Sequence, residues 1–389
     1  MTSSRRIHFG VCGIGYGHAA RSAIIIRELE RRGLAVTVSS YDDGLRYLRS
    51  VGVDALQAPP ISYGVLPEGK VSIKMTIFRN IFLPLRFMEQ VSCELGYAEG
   101  ASLVLSDSRA STTLAGKLLG KPTLTILNQF NIRIEYPRYR RLIELLEAAC
   151  YAPGKIWGLS DEILIADYPP PYTISKWNLV IPDNLLEKTS FIGPVIERLE
   201  ENPRRDEVCG RFGLDPNGGP IIFYHASGPA YERKILTNLI LPILDEIAEE
   251  YQVIATLGGD KPEHITRRAR VYHWIDDPMK IFAISDLVIC RAGQTTLAKA
   301  LAMGKPVIMI PIPAHGEQLG NALSVAESGA GIILQQHQLS LEALRSAIRR
   351  ILSAESFRES AEEYRRLHMT LNPMEQICSR VLRRIESTV

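Results

Sequence analysis

Short apolar runs alternate with amphipathic stretches along almost the whole chain, and that alternation leaves few folds open to it. A short apolar run without polar alternation suits a strand buried on both faces. A 3.6-residue pattern between two such runs suits a helix laid over the sheet. The spacing predicts strands at 7–12, 35–39, 103–105, 123–127, 163–166 and 191–192, with helices over 19–32 and 111–119. A second series opens at Pro220, with strands at 221–224, 253–256, 287–290, 307–310 and 331–334. Its helices are expected over 231–249, 295–303, 318–328 and 341–352. Such alternation defines an α/β protein built on parallel sheets.

At 389 residues the chain is too long for one ordinary core. The two series are separated by 193–219, which holds Pro194, a charged run at 197–207 that suits a solvated helix face, and the turn-rich Asp215-Pro216-Asn217-Gly218-Gly219. The linker is placed near 193–203, giving one domain over 1–195 and a second over 196–372. A last helix near 374–386 carries Ile377, Val381, Leu382 and Ile385 at helical spacing, and the segment of about 373–389 is expected to pack back on the first domain. Two nucleotide-fold-like domains in tandem make the cleft between them the expected ligand site.

Composition removes several classes of function. Hydrophobic residues make up 46% and charged residues 23%, as in globular proteins, and a net charge of +2 supplies no field for nucleic acid. The six cysteines are scattered, with no CxxC, which fits reduced thiols in a cytoplasmic protein. The basic opening at 1–6 runs into an apolar stretch broken by Gly10, Gly13, Gly15 and Gly17, so it reads as a strand and loop and not as a leader peptide. Residues 73–91 interleave apolar side chains such as Ile77, Phe78, Phe82 and Leu85 with Lys74, Arg79 and Arg86. Peripheral contact with an anionic membrane suits that pattern; so does buried core or a domain-closing flap, since Pro84 interrupts it.

The chemistry concentrates in loops that follow strands. Gly13-Ile14-Gly15-Tyr16-Gly17-His18 joins the first strand to the first helix. Its glycines allow a tight turn, and free amides at a helix start suit an anionic or polar ligand. The spacing is not the GxGxxG of a dinucleotide site, and no acidic residue closes the next strand. His18, at the helix start on the sheet's carboxyl edge, suits a general base or a loop cap. In the second half, Cys290-Arg291-Ala292-Gly293-Gln294-Thr295-Thr296 passes from a strand through a glycine turn into a helix that begins with hydroxyls, a cradle for a diphosphate. His225-Ala226-Ser227-Gly228 resembles a second phosphate loop, and 311–322 places Glu317, Gln318 and Asn321 at another strand end, as a polyhydroxylated ligand requires.

Read together, 286–322 resembles the donor-binding signature of GT-B glycosyltransferases, nearest the MurG type that builds lipid-linked peptidoglycan precursor and more distantly the UDP-glucuronosyltransferases. Arg291-Ala292-Gly293, Gly304-Lys305-Pro306, Ile310-Pro311, Glu317-Gln318 and Asn321-Ala322 carry the likeness. The Gly13–His18 loop fits it, and Ser106-Asp107-Ser108 and Asn128-Gln129-Phe130 resemble uncharacterised prokaryotic members. The resemblance implies two tandem Rossmann-like domains of GT-B architecture. It implies metal-independent, inverting transfer from a nucleotide-sugar substrate, UDP-linked, to a hydroxyl acceptor that is lipid-linked in the MurG type, with no bound cofactor.

It further implies that Gly15, Gly17, Ser227, Gly228, Arg291, Gly293, Gln294, Thr295 and Thr296 approach the donor. By the same resemblance Ile275 reads the base edge, Glu317 and Gln318 bond the sugar, His18 acts as base and Asp107 orients it. One position departs: where the family carries a Glu that accepts from both ribose hydroxyls, this chain has Lys299, which can only donate. No Asp-x-Asp is present to hold a divalent ion, and the pairs Asp42-Asp43 and Asp276-Asp277 read as helix-start caps. Two rival readings share the fold. One is a UDP-sugar hydrolase, suggested by Gly17-His18 followed by Arg21; the other is a non-catalytic sugar-nucleotide binding subunit.

Overall fold

The computed structural model describes residues 6–61, 83–130, 154–199, 201, 203–228, 230–259, 266–313 and 315–387. They form two compact units: Met1–Pro169 with Asn178–Val195 and Leu371–Val389, and Pro170–Trp177 with Ile196–Thr370.

The first unit is built on seven parallel strands, β1 (Arg6–Val11), β2 (Ala35–Ser40), β3 (Ala55–Gln57), β4 (Leu103–Asp107), β5 (Thr123–Leu127), β6 (Glu162–Ile165) and β7 (Thr189–Phe191). Their order is β3-β2-β1-β4-β5-β6-β7. Crossovers run one way from β1 and the other way from β4, so the β1/β4 junction is the topological switch point, where loops part and leave room for a ligand. Val11 stands in register with Asp107 there. Helices α1 (Gly17–Arg31), α2 (Asp42–Ser50), α3 (Leu83–Ala98) and α4 (Ala110–Leu118) cover the sheet.

Ile7, Phe9, Leu105 and Ile126 are fully buried in one core with Ile25, Ile26 and Leu29 of α1. Ile377, Cys378, Val381 and Ile385 of the C-terminal helix Pro373–Glu386 belong to the same core. Of the apolar-basic stretch, residues 73–82 lie outside the described residues. Residues 83–91 form the first half of α3, where Leu85 and Met88 are exposed and Gln90 and Val91 are buried.

The second unit repeats the scheme with β8 (Ile221–His225), β9 (Gln252–Thr256), β10 (Arg270–Tyr272), β11 (Leu287–Cys290), β12 (Val307–Met309) and β13 (Gly331–Ile333). The order β10-β9-β8-β11-β12-β13 puts its switch point between β8 and β11, where His225 pairs with Cys290. The helices are α5 (Arg205–Phe212), α6 (Ala230–Ile247), α7 (Pro278–Ile284), α8 (Gln294–Ala302), α9 (Gly316–Glu327), α10 (Leu341–Ser353) and α11 (Glu355–Thr370); the C-terminal helix of the first unit is α12.

Two local expectations change. Among the described residues of the charged run at 197–207, the helix begins at Arg205. Asp42 and Asp43 lie within the first turn of α2 and act on its dipole instead of capping it. Asp277 occupies an N-cap position without a side-chain capping bond. No helix among the described residues is long and apolar enough to cross a membrane.

Candidate active site

The first cluster stands at the β1/β4 switch point. β1 ends at Val11 and the chain passes through the glycine loop into α1, with Cys12 N–H donating to the Asp107 carbonyl at 3.0 Å. Gly15 takes φ +67°. Gly13 is required by contact: a Cβ there would stand 2.1 Å from the Tyr41 carbonyl oxygen. Gly13→Ala is expected to force this loop off the β2–α2 junction at a cost of about 1–3 kcal/mol. Thermal denaturation checks it, and an unchanged midpoint would show that the loop yields freely.

His18 sits in the first turn of α1, and Arg21 and Ser22 follow at i+3 and i+4, on the same face. All three converge on the fully buried Asp107 carboxylate. His18 Nδ1 lies 2.8 Å from Oδ1, Arg21 Nε donates to Oδ2 at 2.6 Å, Ser22 Oγ donates to Oδ2 at 2.9 Å, and Arg21 Nη2 donates to Oδ1. Burial alone raises the Asp107 carboxyl, but the Arg21 guanidinium and the His18 ring override it and hold it well below the usual carboxylate range. An ionised carboxylate only accepts, so the His18 proton belongs on Nδ1, and Arg21 Nη2, 3.0 Å from that nitrogen, is a neighbour and not its donor. Nε2 then keeps its lone pair on a ring whose side chain is 17% exposed. Ser108, next after Asp107, takes φ +54° and is held by its N–H to the Ile126 carbonyl at 3.0 Å. Strain of about 1–3 kcal/mol at such a residue is typical of functional turns.

The second unit gathers the remaining predicted residues at its own carboxyl edge. Gly293 is the N-cap of α8, and Gln294, Thr295 and Thr296 form its first turn. Thr296 N–H already donates to the Gly293 carbonyl at 3.1 Å, and the dipole of this helix end suits an anion. Ser227 and Gly228 follow β8, Gly228 at φ +100°, and Ile275 is buried in the loop after β10. Glu317 and Gln318 lie in the first turn of α9.

Three of the predicted side chains bond within the protein itself. Arg291 is buried, with Nη1 donating to the Ile310 carbonyl at 3.2 Å and Gln336 Oε1 at 2.8 Å, and Nη2 to the Glu232 carbonyl at 3.0 Å. It therefore braces the loop after β11 from within, while its Nε is buried without a hydrogen-bond partner. Gln318 Oε1 accepts from Ile312 N–H at 3.0 Å, tying α9 to the loop after β12. Lys299 pairs with Glu197, Nζ standing 3.0 Å from Oε1 and 2.8 Å from Oε2.

Sequence reasoning missed Glu197, about a hundred residues from its partner, for which no spacing gives a signal. It also left Arg21 and Ser22 out of the site, although their i+3 and i+4 spacing from His18 was available. Gly15, Gly17, His18 and Asp107 thus stand together in one unit, and the other predicted residues stand together in the second.

Two parallel α/β units, each with glycine-bearing loops at the switch point of its sheet, define the GT-B fold class. Residues 231–376 match the glycosyltransferase family 28 C-terminal domain, and residues 5–152 match glycosyl transferase family 1. An uncharacterized glycosyltransferase of Methanosarcina acetivorans is 27% identical over 376 residues, covering 93% of this chain and 94% of that protein. The UDP-N-acetylglucosamine--N-acetylmuramyl-(pentapeptide) pyrophosphoryl-undecaprenol N-acetylglucosamine transferase of Anaeromyxobacter sp. (strain K) is 32% identical over 176 residues, 43% of this chain and 44% of that one. Among solved structures, the spinosyn forosaminyltransferase SpnP superposes with a TM-score of 0.69 at 15% identity, over 98% of this chain and 99% of its own. The chain is thus a glycosyltransferase of GT-B fold with MurG-like relatives, and its activity is glycosyl transfer.

Proposed function

We propose that this enzyme moves a sugar from a UDP-linked donor to a hydroxyl acceptor by a single, inverting displacement that uses no metal ion. The observation that carries the reading is the His18–Asp107 pair at 2.8 Å, braced by Arg21, which directs the imidazole proton to Nδ1 and leaves Nε2 as a base. The acceptor oxygen bonds to the anomeric carbon as the bond from that carbon to the diphosphate oxygen breaks. The hydroxyl proton goes to Nε2, and the bonding electrons leave with the nucleoside diphosphate. The amides and dipole of the α8 N-terminus suit the charge that develops on that leaving group. UDP is supported by the name of the Anaeromyxobacter relative, as is a lipid-linked acceptor.

The test measures UDP release from a panel of UDP-sugars with and without a polyprenyl-diphosphate-linked acceptor. Release that depends on the acceptor, with product of inverted anomeric configuration, is the expected result. Free sugar formed at full rate without acceptor would make the enzyme a hydrolase and overturn the reading.

A further inference from the structure

Lys299 lies in the second turn of α8, on the face that Thr295 and Thr296 share with it at i−4 and i−3. Helical side chains lean toward the N-terminus, so its long stem carries the ammonium toward the sheet's carboxyl edge. The ammonium does not stand alone there. Its partner, Glu197, stands at the start of the unit's long segment Ile196–Thr370, and the two side chains differ in exposure: Lys299 is 11% exposed and Glu197 41%.

A carboxylate has about four lone-pair sites, and one ammonium occupies only part of them. Glu197 Oε2 is shielded and meets only the Lys299 ammonium, 2.8 Å away, with no hydrogen bond to any other group. Three more shielded polar atoms of this unit also lack partners: His225 Nδ1 at the end of β8, Ser227 Oγ in the loop after it and Asn321 Oδ1 in α9. Buried polar atoms without partners are uncommon, and four of them in one unit beside Lys299 and the α8 N-terminus suit a polar ligand there. His225 is also kept neutral, its pKa lowered to about 3 by burial and by the nearby Lys299 charge.

Charge explains the pairing. A nucleotide-sugar brings two negative charges in its diphosphate, and a bare carboxylate beside them would repel it. Neutralised by Lys299, the same carboxylate can stand near the diphosphate and still accept hydrogen bonds. A vicinal diol, two donors on adjacent carbons, is the group that fits two carboxylate oxygens.

We propose that Glu197, held and neutralised by Lys299, is the acceptor for the two ribose hydroxyls of the nucleotide donor, and that this pair selects ribonucleotides over 2′-deoxyribonucleotides. Glu197 is the specificity-determining residue and Lys299 a positioning residue. The inference rests on the reading that the second unit binds a nucleotide-sugar.

The experiment is calorimetric binding of UDP, CDP, GDP and ADP to the full chain. The tightest of them is then compared with its 2′-deoxy counterpart in wild type, Glu197→Ala, Lys299→Met and the Glu197→Gln/Lys299→Met double variant. Wild type should prefer the ribonucleotide about ten- to a hundredfold, the strength expected of a hydrogen bond to a charged group. Glu197→Ala should erase that ratio. Lys299→Met should weaken both nucleotides by exposing an unneutralised carboxylate, and the double variant should recover part of the loss. A Glu197→Ala ratio equal to that of wild type would overturn the proposal and leave the nucleotide reading standing. Failure of wild type to bind any of the four would overturn both.

Discussion

A His18→Ala variant binds the nucleotide-sugar donor as the wild type does and transfers its sugar about 10²- to 10⁴-fold more slowly, the range by which a positioned general base accelerates a reaction. The expectation follows from how the residues are distributed. His18 reaches Asp107 through Nδ1 and leaves Nε2 as its acceptor. Gly293, the α8 first turn, Ser227 and Glu197 all belong to the second unit. Truncating the ring removes the proton acceptor and touches none of those side chains. Steady-state kinetics with calorimetric donor binding separates the two effects: kcat falls and the donor Kd stays. Turnover equal to wild type would take His18 out of the chemistry and leave Asp107, Arg21 and Ser22 as a structural knot.

Much of this arrangement is legible in the sequence, and the parts that are not share a physical cause. Strands buried on both faces, such as Leu287–Cys290, announce themselves as apolar runs because nothing polar is tolerated at any position. The three-residue edge strands β3 and β10 are too short to show a period, and α11, dense in Glu and Arg, shows few apolar positions to align. His18 and Asp107 could be picked out because Asp107 ends a strand and His18 opens the helix after one, and strand ends at a switch point are where a parallel sheet exposes groups. Arg291 directly follows a strand, and its chemistry suits a diphosphate, yet it turns inward to carbonyls of Ile310 and Glu232. Direction of that kind is set by packing between segments distant in sequence, and no local pattern carries it. The Lys299–Glu197 pair is hidden for the same reason.

The largest effect on stability is expected from a second buried network, also unannounced by sequence. Glu94 of α3 is fully buried and meets His8 Nε2 at 2.7 Å, Arg109 Nη2 at 2.7 Å, Ser39 Oγ at 2.8 Å and Thr112 Oγ1 at 2.8 Å. It thereby ties α3 to β1, β2 and the start of α4. Burial alone raises its carboxyl, but Arg109, His8 and Thr112 together lower it to about 2. Glu94→Gln keeps the shape and removes the charge, leaving the Arg109 guanidinium buried without its counter-ion, a loss of about 3–5 kcal/mol. Hydrogen exchange at the β1 and β4 amides should show protection reduced by about a hundredfold or more. The pH dependence has a definite sign. A carboxylate whose folded value lies below its unfolded one stabilises fully above pH of about 4.5, and that contribution drains away as the pH falls toward 2. The Gln variant should lose less stability than wild type over that acid range. Because Arg109 also bonds Ser106, its backbone N–H donating to Oγ at 3.2 Å, the damage reaches the turn that presents Asp107 to His18, and turnover should fall with stability. Protection in the variant within threefold of wild type, with an unaltered acid profile, would show that this network contributes shape without net electrostatic stabilisation.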